Sequence, residues 1–511
     1  MRDEASTDIH QGFPFKTLTH PEHAAGWTSR MASECATGTK DHPLLRRMIE
    51  PFRTTALFLG LLNCTTAFPQ ITFDVAGVPV VATTIAQDLD VPWDLVLGPD
   101  GHLWFTEANG NVYRLDLATN DLHLVHTITG VVLGGFTAGL HSMAFHPDFA
   151  DQPYIYFHYK NASSTSIVER FLYDAGSDSF GPGSGNLLPA TIPAGASHNG
   201  SRLIADDEGN FILTMGDHMS GSANVQDLSA WEGKFLRFDP LGGIPADNPI
   251  AGSYVFNWGH RNPQGLVHAS NGIWYNSAHG QSNDDEVNIV LPNRDYGWPT
   301  VLGLCNTAAE QSYCAAHDVV EPIHEFTSEI VAPAGIDHYD GTAIPGWNNS
   351  LLVATLRGEA LWQLQLAPDG MSVTQATPYL QNTFGRLRDV QVLPDGRVVI
   401  CTSNHDWAGT PGATDDRIIL LTSSLSTGVG STLSEKPVLS PNPAAGNGAW
   451  IDLPTDDLFD VRIMDATGRT LSAHRRINGP SFLESTTLTA GTYLVVVNGT
   501  DQRWTLRWTV L

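Results

Sequence analysis

The chain has 511 residues, enough for two or three domains and a large core. Its net charge of −27, from 54 acids against 27 Lys and Arg, excludes nucleic acid and anionic membranes as partners, since both demand basic surface. Charged residues are only 16% while Gly (48), Pro (31) and Trp (13) are plentiful, which is the profile of a turn-rich, all-β, secreted protein.

No stretch reaches the roughly 20 apolar residues of a membrane span. The best apolar run, Thr54–Leu62, follows Arg46, Arg47 and Arg53 and precedes Thr65-Thr66-Ala67. It reads as a signal peptide over 48–67 with cleavage after Ala67. Met48 is then the start, and 1–47 is an over-translated or disordered extension. Of the cysteines beyond the cleavage point, Cys305 and Cys314 flank a short polar loop and are expected to pair, as suits an oxidising compartment. Cys401 lies in an apolar strand and reads as a buried free thiol.

From residue 70 to 425 one pattern recurs: an apolar strand, a turn such as Asp-Gly, then a second apolar strand. The copies begin at Trp93, His141, Ser201, Gln264, Ala334 and Arg388, with turns near 100, 148, 208, 271, 340 and 395. Each interval leaves room for two more strands, so the pattern predicts a six-bladed β-propeller. Residues 426–435 fall in a Ser/Thr/Gly-rich linker. Short alternating strands over 436–511 predict a small C-terminal β-sandwich.

In a propeller the residues just before each first strand, and the turns leaving each second strand, collect on one rim. This rim receives Asp94, Thr137, Gly139, His198, Asn199, Arg261, Asn262, Arg386 and Arg388 from the leading turns. The returning turns add Asp217, His279, Gly280 and Arg357. Arginines clustered without nearby acids hold multivalent anions through bidentate bonds; the competing use of Arg261, Arg357, Arg386 and Arg388 is pairing with rim acids such as Asp389. Gly280 and Gln281 form a glycine turn beside Asp284, Asp285 and Glu286, offering the carbonyl and carboxylate oxygens that Ca²⁺ takes. His198 at a channel mouth is placed to act as a general base. His146 sits at a turn away from that rim and reads as structural.

The motifs Gly259-His-Arg-Asn-Pro-Gln-Gly, Asp284-Asp-Glu-Val-Asn with Asp295-Tyr-Gly-Trp-Pro, Ala144-Phe-His-Pro-Asp-Phe, His198 with Arg202-Leu, Ile330-Val-Ala-Pro and Arg386-Leu-Arg-Asp-Val resemble the soluble quinoprotein glucose/sorbosone dehydrogenases over about 75–422. That family includes aldose sugar dehydrogenases that use pyrroloquinoline quinone (PQQ). The resemblance implies an enzyme that oxidises the anomeric carbon of an aldose to a lactone, with electrons passing on to an external acceptor. It implies His198 as catalytic base. Arg261, Asn262, Arg357, Arg386 and Arg388 would be cofactor-binding, and Thr137 and Asp94 substrate-facing. The carbonyls of Gly280 and Gln281 would be ligands of a catalytic Ca²⁺, and Glu286 a ligand of a separate structural Ca²⁺.

This chain departs from the family at Thr137, Ser197 and Gln281, and the aromatic segment expected before Ile330 is replaced by Glu325–Glu329. The departures at Thr137 and Ser197 keep open a second reading, an inactive propeller that binds a glycan or protein. A third is a Ca²⁺-dependent lactonase-type hydrolase, against which the arginines argue. The motifs Ser440-Pro-Asn-Pro, Val461-Arg-Ile-Met-Asp-Ala-Thr-Gly-Arg and Leu488-Thr-Ala-Gly-Thr-Tyr resemble the C-terminal sorting domain of type IX secretion cargo, which implies export through that machinery.

Overall fold

The computed structural model describes residues 70–423, apart from 135–138, 220–223 and 328–329, and most of 437–510. The expected N-terminal extension, signal peptide and linker lie outside the described residues, as does Thr137.

Residues 70–423 form six antiparallel sheets, five of them laid down by consecutive strands. Their first strands are Pro92–Leu97, Leu140–Phe145, Leu203–Ala205, Pro263–His268, Pro333–Tyr339 and Leu387–Val392. These touch one another in cyclic order, the sixth against the first, so the sheets close a ring. The closing sheet is completed by the start of the chain. Val78–Ala86 pairs with Ile418–Ser423, and Gln70–Val75 forms the outer edge.

The local cause of each hairpin is visible in the first sheet. Gly101 takes φ +79°, a left-handed conformation open to glycine, and its amide returns to Gly98. The strand that follows, Leu103–Glu107, is buried throughout.

Apolar packing is divided among the seams of the ring. Trp104 and Val112 meet Met143 and Phe157 between the first two sheets. Val399 and Ile418 meet Leu95 and Phe105 between the last and the first, and buried Cys401, a free thiol as expected, belongs to this cluster. A polar contact accompanies each seam, because the inner strands have no ladder partner in the next sheet. Thr106 donates to the His141 carbonyl, Ser142 to Ser201, Thr214 to Pro263 and Ser277 to Ala334. Asp94 accepts the Met143 amide at 2.8 Å, Asp337 the Val392 amide at 2.6 Å, and Asp389 the Leu95 amide at 2.7 Å.

Two expectations need correction. The segment between Cys305 and Cys314 is not a loop. The two cysteines are bonded, but Ala308–His317 is a helix, nucleated by a capping box in which Thr307 and Glu310 satisfy each other's backbone amides. Asp94 does not reach the rim as a substrate contact. It is buried and ion-paired with Arg202, which also forks onto Asp389 at 2.9 and 3.0 Å. Burial pushes the Asp94 carboxyl up, and the Arg202 guanidinium opposes that. Asp94 and Arg202 line a cavity of about 380 Å³ with Asp337 and Gln391, and none of these residues lines the cavity of the rim.

The C-terminal residues form two sheets. Val438–Ser440, Gly448–Asp452 and Ser481–Glu484 make one, and Phe459–Met464, Thr470–Ile477, Gly491–Asn498 and Arg503–Val510 the other. Ala449, Ile451, Val461, Leu483, Val495 and Trp508 fill a core between them, as the predicted sandwich requires.

Arg202 holds two buried carboxylates, so Arg202→Met should leave both uncompensated. The expected loss is about 3–5 kcal/mol, read as a lower denaturation midpoint in urea. An unchanged midpoint would show that the Asp94–Arg202–Asp389 group does not tie the ring.

Candidate functional site

A cavity of about 530 Å³ opens on the rim, lined by His198, Arg261, Asn262, His279, Gly280, Gln281, Arg357, Arg386, Arg388 and Trp407 among others. That size suits a small-molecule site. Eight of the expected site residues therefore converge, from the turns around the third to sixth sheets. Glu286 lies just behind them, and Asp94 belongs elsewhere.

His198 sits on a strained turn: its φ is +54°, and Ser201 follows at +89°. The strand-exit turn opposite must carry glycine, because a Cβ on Gly216 would collide with the His198 carbonyl. That exit turn delivers Asp217, whose carboxylate receives His198 Nδ1 at 2.7 Å. Burial works to raise the Asp217 carboxyl, but the bond to His198, the Met219 amide and the charge of Arg261 outweigh it and hold it below its usual value. An ionised Asp217 makes Nδ1 the protonated nitrogen, leaving Nε2 as an acceptor. The other Asp217 oxygen accepts the Trp298 indole N–H at 3.0 Å.

The arginines are not free of acids, as the sequence reading supposed. Arg386 and Arg388 both pair with Asp406, at 2.8 and 3.1 Å. Ser403 adds a hydroxyl to the same Asp406 oxygen at 3.1 Å. Asp389, the acid expected to compete, is instead taken by Arg202. Arg261 and Arg357 line the same cavity, together with Asp285 and Glu359. Burial pulls the pKa of both Arg388 and Arg261 below the usual guanidinium value, a penalty that a bound anion would relieve.

Asn262 holds the turn rather than presenting a free amide. Its oxygen accepts the Gly200 amide at 3.2 Å and its nitrogen approaches His279 Nδ1 at 3.3 Å. His279 then carries its proton on Nε2, which is buried and has no hydrogen-bond partner among the described residues. Burial, then the surrounding arginines and His198, keep His279 neutral.

The glycine turn is set by Asp285. One of its oxygens accepts the Gly280 amide at 2.9 Å, and the other accepts Val331 at 2.8 Å and Ala332 at 2.7 Å. Asp285 is thus a buried structural acceptor. A Cβ on Gly280 would strike the Asn283 and Asp284 carbonyls. The carbonyls of Gly280 and Gln281 accept no hydrogen bond among the described residues. Both residues line the large cavity and also a small void of about 20 Å³ with Asp284 and Glu286, space for one water or ion. Burial, with Glu325, Asp285 and Asp284 nearby, pushes the Glu286 carboxyl up to about 7. Among the described residues no three His, Cys, Asp or Glu side chains gather at a metal-binding position. A hard cation here would draw on the two carbonyls, oxygen donors of the kind Ca²⁺ takes, and would need its remaining contacts from water or a bound ligand.

The model of the glucose/sorbosone dehydrogenase family matches residues 89–408. The chain belongs to the glucose/sorbosone dehydrogenase family. It is 28% identical over 401 residues to quinoprotein glucose dehydrogenase B of Acinetobacter calcoaceticus, covering 62% of this chain and 83% of that one. An aldose sugar dehydrogenase of Escherichia coli is 27% identical over 349 residues, covering 64% and 91%. Among solved structures, the PQQ-bound aldose sugar dehydrogenase of Streptomyces coelicolor matches 70% of this chain and 100% of that one, with TM-score 0.58 and 28% identity.

Asp217, Trp298, Asp406 and Trp407 escaped assignment in the sequence. The turn holding Asp217 was placed on the rim, and its position one residue after Gly216, facing His198, was the available signal. Nothing in the sequence paired Asp406 with arginines two strands earlier.

Asp285→Asn leaves one acceptor for three amides and places an N–H₂ against N–H donors. The expected loss is about 2–4 kcal/mol, read as a lower melting temperature. An unchanged melting temperature would refute its role in setting the Gly280 turn.

Proposed function

We propose that this protein is a PQQ-dependent aldose dehydrogenase assisted by Ca²⁺. The observation that carries the reading is the joining of a His198–Asp217 pair to an arginine cluster around one cavity. When bound, PQQ supplies the electrophilic carbonyl that accepts a hydride, and its carboxylates match this donor set.

Arg261, Arg357, Arg386 and Arg388 would hold those carboxylates. Gly280 and Gln281 would present carbonyl oxygens to Ca²⁺, which polarises a carbonyl as a Lewis acid. His198 Nε2, left as an acceptor by the Asp217 bond, takes the proton of the anomeric hydroxyl as hydride leaves the same carbon. The sugar becomes a lactone, and two electrons pass on to an external acceptor. Asp217 holds the imidazole tautomer and stabilises the imidazolium that forms.

Export is part of the same proposal. It is supported by the apolar segment within 48–67, by the Cys305–Cys314 bond, and by the sorting-type motifs on the C-terminal sandwich. Among the described residues no helix is long and apolar enough to cross a membrane.

The test adds PQQ and Ca²⁺ to the purified protein and follows dye reduction with a panel of aldoses. Turnover is expected with at least one aldose, and a chelator should remove it until Ca²⁺ is restored. His198→Ala should cost about 10²–10⁴-fold in kcat while sparing quinone binding. Failure of the wild type to bind PQQ would sink the reading.

A further inference from the structure

The motif residue Trp298 has no role in the reaction described so far, yet its side chain touches both halves of the site. Its indole N–H donates to Asp217 at 3.0 Å, and the opposite oxygen of that carboxylate holds His198 at 2.7 Å. The face of the same ring carries the Arg261 guanidinium, 5.5 Å from the ring centroid. The guanidinium also donates to the His279 carbonyl at 3.3 Å, and the Arg261 backbone carbonyl accepts the Asp217 amide at 2.8 Å, so the two backbones are already neighbours and the indole joins their side chains. The aromatic face is thus the surface on which its cationic end rests.

The backbone that carries the indole is held in place. The Trp298 amide donates to the Gly259 carbonyl at 3.0 Å, and the Trp298 carbonyl accepts from Gln226 at 2.9 Å. Gln226 also binds Asp295 at 2.9 Å, and Asp295 caps the Gly297 amide at 2.8 Å. Gly259, at φ +86°, has to be glycine, since a Cβ there would strike Asp295 and the Tyr296 amide. The segment Gly259–Asn262 and the segment Asp295–Pro299 are thus locked together, with the ring projecting into the seam between them.

We propose that Trp298 is a positioning residue that couples the proton-accepting pair to the quinone-binding arginine. Its N–H fixes the Asp217 carboxylate that aims His198, and its ring face fixes Arg261. The inference rests on the dehydrogenase reading and deepens it. The proton leaves the hydroxyl oxygen and the hydride leaves the carbon that bears it, so the mutual placement of the two acceptors limits the rate. One rigid indole sets both.

Two substitutions separate the functions. Trp298→Phe keeps a ring under Arg261 and loses the donor. Trp298→Gln keeps a donor within reach of Asp217 and loses the ring. Quinone affinity is read by calorimetry on the cofactor-free protein, and kcat by dye reduction at saturating PQQ and Ca²⁺. Trp298→Phe should lower kcat by about tenfold or more, the effect of one hydrogen bond to a charged group, with quinone affinity within about threefold of wild type. Trp298→Gln should show the reverse, an affinity loss of about tenfold with kcat closer to wild type. Parallel loss of both quantities in both variants, or loss in neither, overturns the coupling and leaves Trp298 as packing. Should Trp298→Gln not fold, a cycle of Trp298→Phe with Asp217→Asn decides. In the Asp217→Asn background the Phe change should add less than about twofold, and an additive loss overturns the proposal. A wild type that binds no PQQ overturns this inference and the dehydrogenase reading together. An active wild type with parallel losses overturns this inference alone.

Discussion

The inner strands of the ring pose a problem that ladder hydrogen bonding cannot solve. Each faces the inner strand of the next sheet across a gap, and buried backbone groups there must still find partners. Every seam is closed by a short polar side chain, a hydroxyl at Thr106, Ser142, Thr214 and Ser277 and a carboxylate at Asp94, Asp337 and Asp389. These contacts set the rotation of each sheet against its neighbour. The rim loops inherit that setting. His198 can meet Asp217, and Trp298 can reach from the fourth sheet's turns to the third's, because the seam between them is fixed by Thr214 on the Pro263 carbonyl.

Charge is distributed with the same economy. The chain carries −27, yet its rim cavity gathers four guanidiniums against few carboxylates. Asp406 takes two of those guanidiniums on one oxygen, which orients them without cancelling them. Of the carboxylates on or beside the cavity, Asp217 works on His198 and Asp285 on three backbone amides, while Glu359 lies on the wall with Arg357.

Much of this was legible in the sequence. The spacing of Asp-Gly and related turns predicted the repeating sheets, and the rim rule brought His198, Arg261, Arg386, Arg388 and Gly280 to one mouth without an alignment. The failures share a physical cause. Asp94 opens an inner strand, and from the sequence an acid there could face substrate or latch the next sheet. Only the pairing partners, Arg202 and the Met143 amide, decide between these. Asp406 lies in a loop beyond the second strand of the last sheet, and no periodicity reports that it folds back onto Arg386. Trp298 read as a motif letter because a tryptophan's two functions, donor and cationic platform, depend on which groups approach its edge and its face. The helix between the paired cysteines was hidden by a polar composition that its capping box overrides.

The central claim is that the rim cavity holds a quinone between the arginines and the glycine turn, within reach of His198. The most direct measurement is a crystal structure of the protein grown with PQQ and Ca²⁺. The account predicts quinone carboxylates on Arg386, Arg388 and Arg261, Ca²⁺ on the carbonyls of Gly280 and Gln281, and His198 facing the quinone's reactive edge. A quinone bound in the cavity of Asp94 and Asp337, or a rim cavity that stays empty at saturating PQQ, would contradict it.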